Sequence, residues 1–131
     1  MKKLADQQVD NKTFKKRLRD QLGVGKVHNY YGMVEQVGSI FMECEKGVFH
    51  TPKFADVLMR DPITLEPAQS GIVQVLSLLP QSYPGHSILT EDLGIIIGCD
   101  DCPCGRKGKY FQVYGRIPQA ELRGCSDVGS K

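Results

Sequence analysis

Most of the chain reads as short strand-like apolar segments bounded by turn residues, and one stretch near the start shows helical spacing instead. Phe14, Leu18 and Leu22 recur at i, i+4 and i+8 behind Asp10 and Asn11. This spacing predicts a short helix with a narrow apolar stripe, capped by Asp10 or Asn11 and stopped by Gly23 and Gly25. Everything after it reads as strands. Lys26–Tyr30 is predicted as a strand entering a turn at Gly32, and Gly38–Glu43 and Gly47–His50 as strands separated by the charged turn Glu45-Lys46. Phe54–Arg60 alternates until Asp61-Pro62 breaks it. Gly71–Leu79 is a nearly unbroken apolar run ending before Pro80, the pattern of a buried strand, although periodicity alone leaves helix open. Pro84-Gly85 marks a turn. Ser87–Thr90 and Leu93–Gly98 are predicted as a strand pair around Glu91-Asp92, and Lys109–Gly115 as the last strand.

No repeat, low-complexity tract or linker divides the chain, so residues 1–131 are expected to form a single unit. Within it, 1–25 is a helical lead-in, 26–117 a β-rich subdomain with a cysteine loop at 99–105, and 118–131 a tail. The predicted class is α/β, α+β-like as a fragment. One helix cannot cover so many strands, which is expected of a piece of a larger protein and equally of a small antiparallel domain.

Composition changes this picture little. The apolar and charged fractions are ordinary for a globular domain, and the formal net charge is only +2. Lys12, Lys15, Lys16, Arg17 and Arg19 crowd the predicted helix. Such a face is usually simply solvated, and the alternatives are phosphate or a membrane surface. Nucleic acid is disfavoured, because only Phe14 interleaves the basic stretch and stacking surfaces are missing. No apolar run reaches the ~18 residues of a membrane span, and the start lacks a signal-peptide core, so cytoplasmic residence is the expectation. The five cysteines, Cys44, Cys99, Cys102, Cys104 and Cys125, then point to metal binding or thiol chemistry and away from a disulfide framework.

Three short motifs carry candidate chemistry. Tyr30-Tyr31-Gly32-Met33-Val34-Glu35, Thr90-Glu91-Asp92-Leu93-Gly94 and Gly115-Arg116-Ile117 with Arg123-Gly124 resemble, in this order and at these separations, three motifs of the adenylate-forming enzymes. With Pro80–Gly94, Asp100–Gly108 and Gly115–Asp127, the chain looks like the C-terminal part of the LuxE-type acyl-protein synthetases (long-chain fatty acid–luciferin component ligases) of bacterial luminescence systems, and is similar at lower specificity to phenylacetate-CoA ligases. That resemblance implies an ATP-dependent ligase that activates a fatty or other carboxylic acid as acyl-AMP and passes the acyl group to a cysteine thiol. Glu35 then matches the carboxylate that holds Mg²⁺, Asp92 the one that accepts the ribose hydroxyls, Arg116 the hinge arginine, and Tyr31 the aromatic that stacks on adenine. Cys125 matches the acyl-accepting thiol, and Arg123 beside it would draw it towards thiolate. The implied partners are the rest of the synthetase chain and a fatty-acid reductase complex.

Several departures limit the match. Val34 stands where a hydroxyl residue touches the α-phosphate, and Pro118 where an acidic hinge residue is common. No Ser/Thr/Gly-rich phosphate loop precedes the motifs, and no room is left for a lid with its lysine, so no ATP turnover is expected of this chain alone.

Cys99-x2-Cys102-x-Cys104 has metal-ligand spacing. Phenylacetate-CoA ligases have a similar arrangement, some of them zinc-binding, and on that resemblance Cys44, His50, Cys102 and Cys104 are the preferred ligands of a structural Zn²⁺, with Cys99 a substitute or bystander. The rival class is a small zinc-stabilised binding module without catalysis. His86, in the Pro84–Ser87 turn, is a weak candidate for the acyl or nucleotide pocket.

Overall fold

The computed structural model describes residues 9–117. Helix α1 (Asn11–Leu22) starts at Asp10, whose carboxylate accepts from Thr13 N, and ends at Gly23, whose left-handed φ of 66° lets its N–H close on Arg19 O. None of its residues is buried, and Leu22 is 66% exposed. The helix is instead tied down by polar contacts. Asn11 Nδ2 and Lys15 Nζ both donate to Glu43, which is almost wholly buried and also accepts from Asn29 N.

Eight strands follow: β1 (Tyr30–Tyr31), β2 (Phe41–Met42), β3 (Phe49–His50), β4 (Ala55–Arg60), β5 (Pro67–Ala68), β6 (Ser70–Ser77), β7 (Ser87–Cys99) and β8 (Lys109–Arg116). β1 pairs with β2, and the others form one sheet in the order β3-β8-β7-β6-β4-β5, antiparallel throughout. One helix beside an antiparallel sheet is an α+β, β-rich arrangement, as the sequence pattern implied.

The sheet is strongly curled. β8 and β4 are three places apart, roughly 14 Å in a flat sheet, yet Lys109 Nζ on β8 donates to Asp56 Oδ2 (2.7 Å) and Val57 O (2.9 Å) on β4. The concave side holds the core: Phe41, Val57, Met59, Val73, Val75 and Phe111, with Tyr31, Phe49 and Ile96 packed against it. Gly94 fits this interior because it has no side chain. A Cβ there would sit 2.7 Å from Gln112 O and 2.9 Å from Val73 Cγ2. The β7–β8 ladder shifts register next to Gly94 and again between Ile96 and Gly98, which adds curl.

The elements differ from the pattern-based expectation in four places. Lys26–Asn29 is not a strand: at its end the Asn29 N–H is taken by the Glu43 carboxylate, while Asn29 O accepts from Glu43 N. The strands expected at Gly38–Glu43 and Gly47–His50 contract to two residues each, although Glu43 still bridges Phe49. Glu91-Asp92 is no turn: β7 runs unbroken from Ser87 to Cys99, with Glu91 facing solvent and Asp92 partnered from two neighbouring elements. β5, two residues containing a proline, gave no alternating signal at all. The tail at 118–131 lies outside the described residues, as do Pro118, Arg123 and Cys125.

Candidate functional site

Two constellations are built on this frame. The first is an open cleft of about 1080 Å³ whose walls include Tyr30, Glu35, Val37, Leu89, Asp92 and Arg116. Strand register creates half of it. Asp92 on β7 lies directly opposite Arg116 on β8, and Arg116 Nε donates to Asp92 Oδ1 (3.3 Å). The Tyr31 hydroxyl reaches Asp92 Oδ2 from β1 (2.8 Å), and Thr90 Oγ1 accepts from Asp92 N (3.1 Å) while donating to Val73 O (2.8 Å). Asp92 is thus fixed from three sides.

The opposite wall is the loop after β1. A single 3₁₀ turn, Val34–Gln36, carries Glu35 on its solvent side and Gln36 on its buried side. Gln36 Nε2 donates to Gly85 O (2.7 Å) and Val75 O (3.3 Å), and Ser39 Oγ to Ser77 Oγ (2.7 Å), which clamps the turn onto β6. Glu35 is therefore held at the cleft as an exposed residue. So three acids and bases far apart in sequence, Glu35, Asp92 and Arg116, share one cleft. Its rim is apolar and exposed, with Val34 70%, Val37 80% and Tyr30 67% accessible.

Tyr31 stands apart from the expectation of a stacking surface. Its ring packs at 6.0–6.2 Å between centroids against Phe41, Phe49 and Phe111, within the core. Burial first, and the Asp92 carboxylate second, push its hydroxyl far above the ordinary phenol range, so it remains a donor. Tyr30, overlooked in the sequence beside it, is the aromatic that faces the cleft. His86 lines a different, smaller groove with Phe54, Leu76 and Leu78, and not the Asp92 cleft.

The second constellation is a cysteine site. The ligand atoms of Cys44, His50, Cys102 and Cys104 all lie within 4.8 Å of one another. A tetrahedral ion with Zn–S bonds of about 2.3 Å needs its sulfurs roughly 3.8 Å apart, so this set closes around an ion with little movement. Cys104 Sγ is already 3.4 Å from His50 Nε2. Each sulfur-bearing turn is made the same way. Gly47 (φ 78°) and Gly105 (φ 83°) fold back to donate to Cys44 O and Cys102 O, both 2.9 Å, and expose one more N–H to each thiol. Lys46 N points at Cys44 Sγ (3.4 Å) and Arg106 N at Cys104 Sγ (3.5 Å). Such donors favour thiolate, the ligating form.

The electrostatics favour the ligating form at Cys104 and His50 and oppose it at Cys102. Burial raises the Cys102 thiol. Burial also acts on Cys104, but the Arg106 N–H and its thiol neighbours Cys102 and Cys44 outweigh it and bring Cys104 below the ordinary thiol range. Burial, then Arg106, lowers His50, which keeps the imidazole neutral as a ligand must be. Tyr110 stacks on the His50 ring at 5.6 Å and closes the site from below. Cys99 is exposed, 3.7 Å from Asp100 Oδ2, and lies outside the four-donor group. Four protein donors would leave an ion no open position, which marks a structural site.

The expected Cys125 lies outside the described residues. Among the described residues no helix is long and apolar enough to cross a membrane.

A profile of the acyl-protein synthetase family LuxE matches residues 1–131. The chain is also 27% identical over 123 residues to the long-chain-fatty-acid–luciferin-component ligase of Aliivibrio fischeri, a match covering 90% of this chain and 32% of that ligase. It therefore spans about a third of that relative's length.

Proposed function

The chain belongs to the LuxE acyl-protein synthetase family, and from that premise we propose that it is the receiving part of an ATP-dependent acyl-protein synthetase. In this reading the Asp92 cleft takes the nucleoside of an acyl-AMP, and Cys125 takes the acyl group as a thioester. The observation that supports it most is the meeting of Glu35, Asp92 and Arg116 at one cleft. Asp92 accepts the ribose hydroxyls, Arg116 stands beside it to meet phosphate charge, and Tyr30 offers its exposed ring to the base. Glu35, exposed at the cleft with an acceptor-only carboxylate, would hold Mg²⁺. The ion would screen charge on the phosphates. The chain's own residues orient the nucleoside and hold it against the apolar wall.

Cleft and rim both look incomplete alone. A phosphate-gripping segment is not recognisable here, and Val34 and Val37 would be covered by the remaining two thirds of such a synthetase. We therefore propose the rest of the synthetase chain as partner, with a fatty-acid reductase complex as acceptor downstream, and no ATP turnover by these 131 residues alone. Zn²⁺ in the four-donor site would pin the Cys44 turn to the Cys102–Cys104 loop, and its three thiolates would leave a net negative charge that Arg106 faces. Titration of adenosine monophosphate into the chain, followed by NMR, tests the reading: shifts should centre on Glu35, Leu89, Asp92 and Arg116 and vanish in Asp92→Ala.

The four-donor cluster favours a second reading, a zinc-stabilised interaction module without catalysis. Stoichiometric zinc with no nucleotide-dependent shifts would select it. A part of a phenylacetate-CoA-ligase-like enzyme would instead show the same shifts and no acylation of Cys125.

A further inference from the structure

Among the described residues, Tyr31 is the group that reaches the cleft's central carboxylate from the hydrophobic core. Its ring is fixed edge-on to Phe111 (85°) and tilted against Phe41 and Phe49, and Phe41 and Phe111 are fully buried. The hydroxyl at the end of this support lies 2.8 Å from Asp92 Oδ2, while Arg116 holds Oδ1 from the flanking strand. A carboxylate oxygen offers about two lone-pair sites. Among the described residues one site on each oxygen is engaged, by Tyr31 on Oδ2 and Arg116 on Oδ1, which leaves a second acceptor site on each. Two adjacent acceptor sites held in one plane match two adjacent hydroxyls.

We infer that Tyr31 is a positioning residue: through its hydroxyl it locks Asp92 in the orientation that receives a vicinal diol, and so sets the preference of the cleft for a ribonucleoside over a 2′-deoxyribonucleoside. The inference rests on the nucleotide reading of the cleft and gives Tyr31 a task other than stacking. With the hydroxyl removed, Asp92 keeps only the Arg116 contact on Oδ1 and turns about its side-chain torsions. A ligand with two hydroxyls then loses more than a ligand with one, because only the first needs both oxygens in register.

The test uses the 131-residue chain and Tyr31→Phe, which keeps the ring and its packing. Adenosine monophosphate and 2′-deoxyadenosine monophosphate are titrated separately and followed by NMR, with thermal melting alongside. The unaltered chain should prefer the ribonucleotide. Tyr31→Phe should weaken ribonucleotide binding about tenfold, the size of one lost hydrogen bond to a charged group, and leave 2′-deoxynucleotide binding within about twofold, so the preference collapses. Phe41→Leu serves as the structural control and should weaken both ligands together. A Tyr31→Phe protein that keeps the preference, or loses both affinities in parallel, overturns the inference while the nucleotide reading stands. Absence of nucleotide binding in the unaltered chain overturns the reading itself, and the inference with it.

Discussion

Replacing Glu43 by Gln removes one buried charge at the point where α1, the segment before β1 and the cysteine site meet. Three donors converge on that carboxylate: Asn29 N at 2.8 Å, Asn11 Nδ2 at 3.0 Å and Lys15 Nζ. Burial pushes the carboxyl up, yet the Asn29 N–H, the Lys15 ammonium and the Asn11 amide together hold it below the ordinary carboxylate range. A glutamine can satisfy the donors on one of its two terminal atoms only. The other becomes an NH₂ facing a donor, which leaves a buried polar group unpaired at about 1–3 kcal/mol. The lost ion pair with Lys15 adds less, because the lysine side chain is 21% exposed and partly solvated. The sum is about 3 kcal/mol, well above the roughly 0.5 kcal/mol of an ordinary surface change. In urea, at about 1.5 kcal/mol/M, the midpoint should fall by about 2 M. Zinc retention should weaken in parallel, since Glu43 immediately precedes Cys44 and its carboxylate ties that position to Asn29 N, Asn11 and Lys15. A midpoint shift below about 0.3 M would refute the role given to Glu43.

Three further outcomes follow from the same geometry. Gly94→Ala should destabilise by about 1–3 kcal/mol in denaturant titration, since its Cβ would meet Gln112 O at 2.7 Å on a strand that cannot move independently. Removing metal with a chelator, or Cys102→Ser, should lower the melting temperature and open the 99–105 loop to protease, whereas Cys99→Ser should do neither. Asp10 accepts from Thr13 and lies below its ordinary pKa, first through the Thr13 side chain and then its N–H. A depressed carboxylate stabilises the fold above its unfolded pKa, and that contribution is lost as pH falls through the folded value. Circular dichroism should therefore show α1 fraying as pH falls through and below the ordinary aspartate range, and Asp10→Ala should lower the helical signal at neutral pH.

The sequence disclosed most where a residue type has few alternatives. A cap residue, an apolar i, i+4, i+8 stripe and a glycine stop outlined α1, and the structure chose Asp10 over Asn11 as cap and Gly23 as stop. Cysteines and a histidine at ligand spacing, read beside a related family, led to the same four donors that the fold brings within reach. It disclosed least where a side chain's partner decides the structure. Glu91-Asp92 has turn composition, and only the facing Tyr31 and Arg116 let Asp92 stand in the middle of a strand. Lys26–Asn29 has strand composition, but a buried glutamate fourteen residues later takes its backbone donor. Tyr30 and Tyr31 are indistinguishable by type, and their opposite fates follow from strand alternation: one ring goes to the cleft and the other to the core. Glu35, Asp92 and Arg116 could be named singly from motifs, but the ladder register that sets Asp92 against Arg116 is visible only in three dimensions.

The account turns on whether the Asp92 cleft serves acyl transfer to a thiol. The most direct measurement exposes the chain to a long-chain acyl-adenylate and locates the acyl group by peptide mass spectrometry, in the unaltered protein and in Asp92→Ala. The account predicts acylation of Cys125 in preference to the exposed Cys99, slowed severalfold or more by Asp92→Ala because nucleotide docking supplies the local concentration. Equal labelling of Cys99 and Cys125, or labelling indifferent to Asp92, would contradict it.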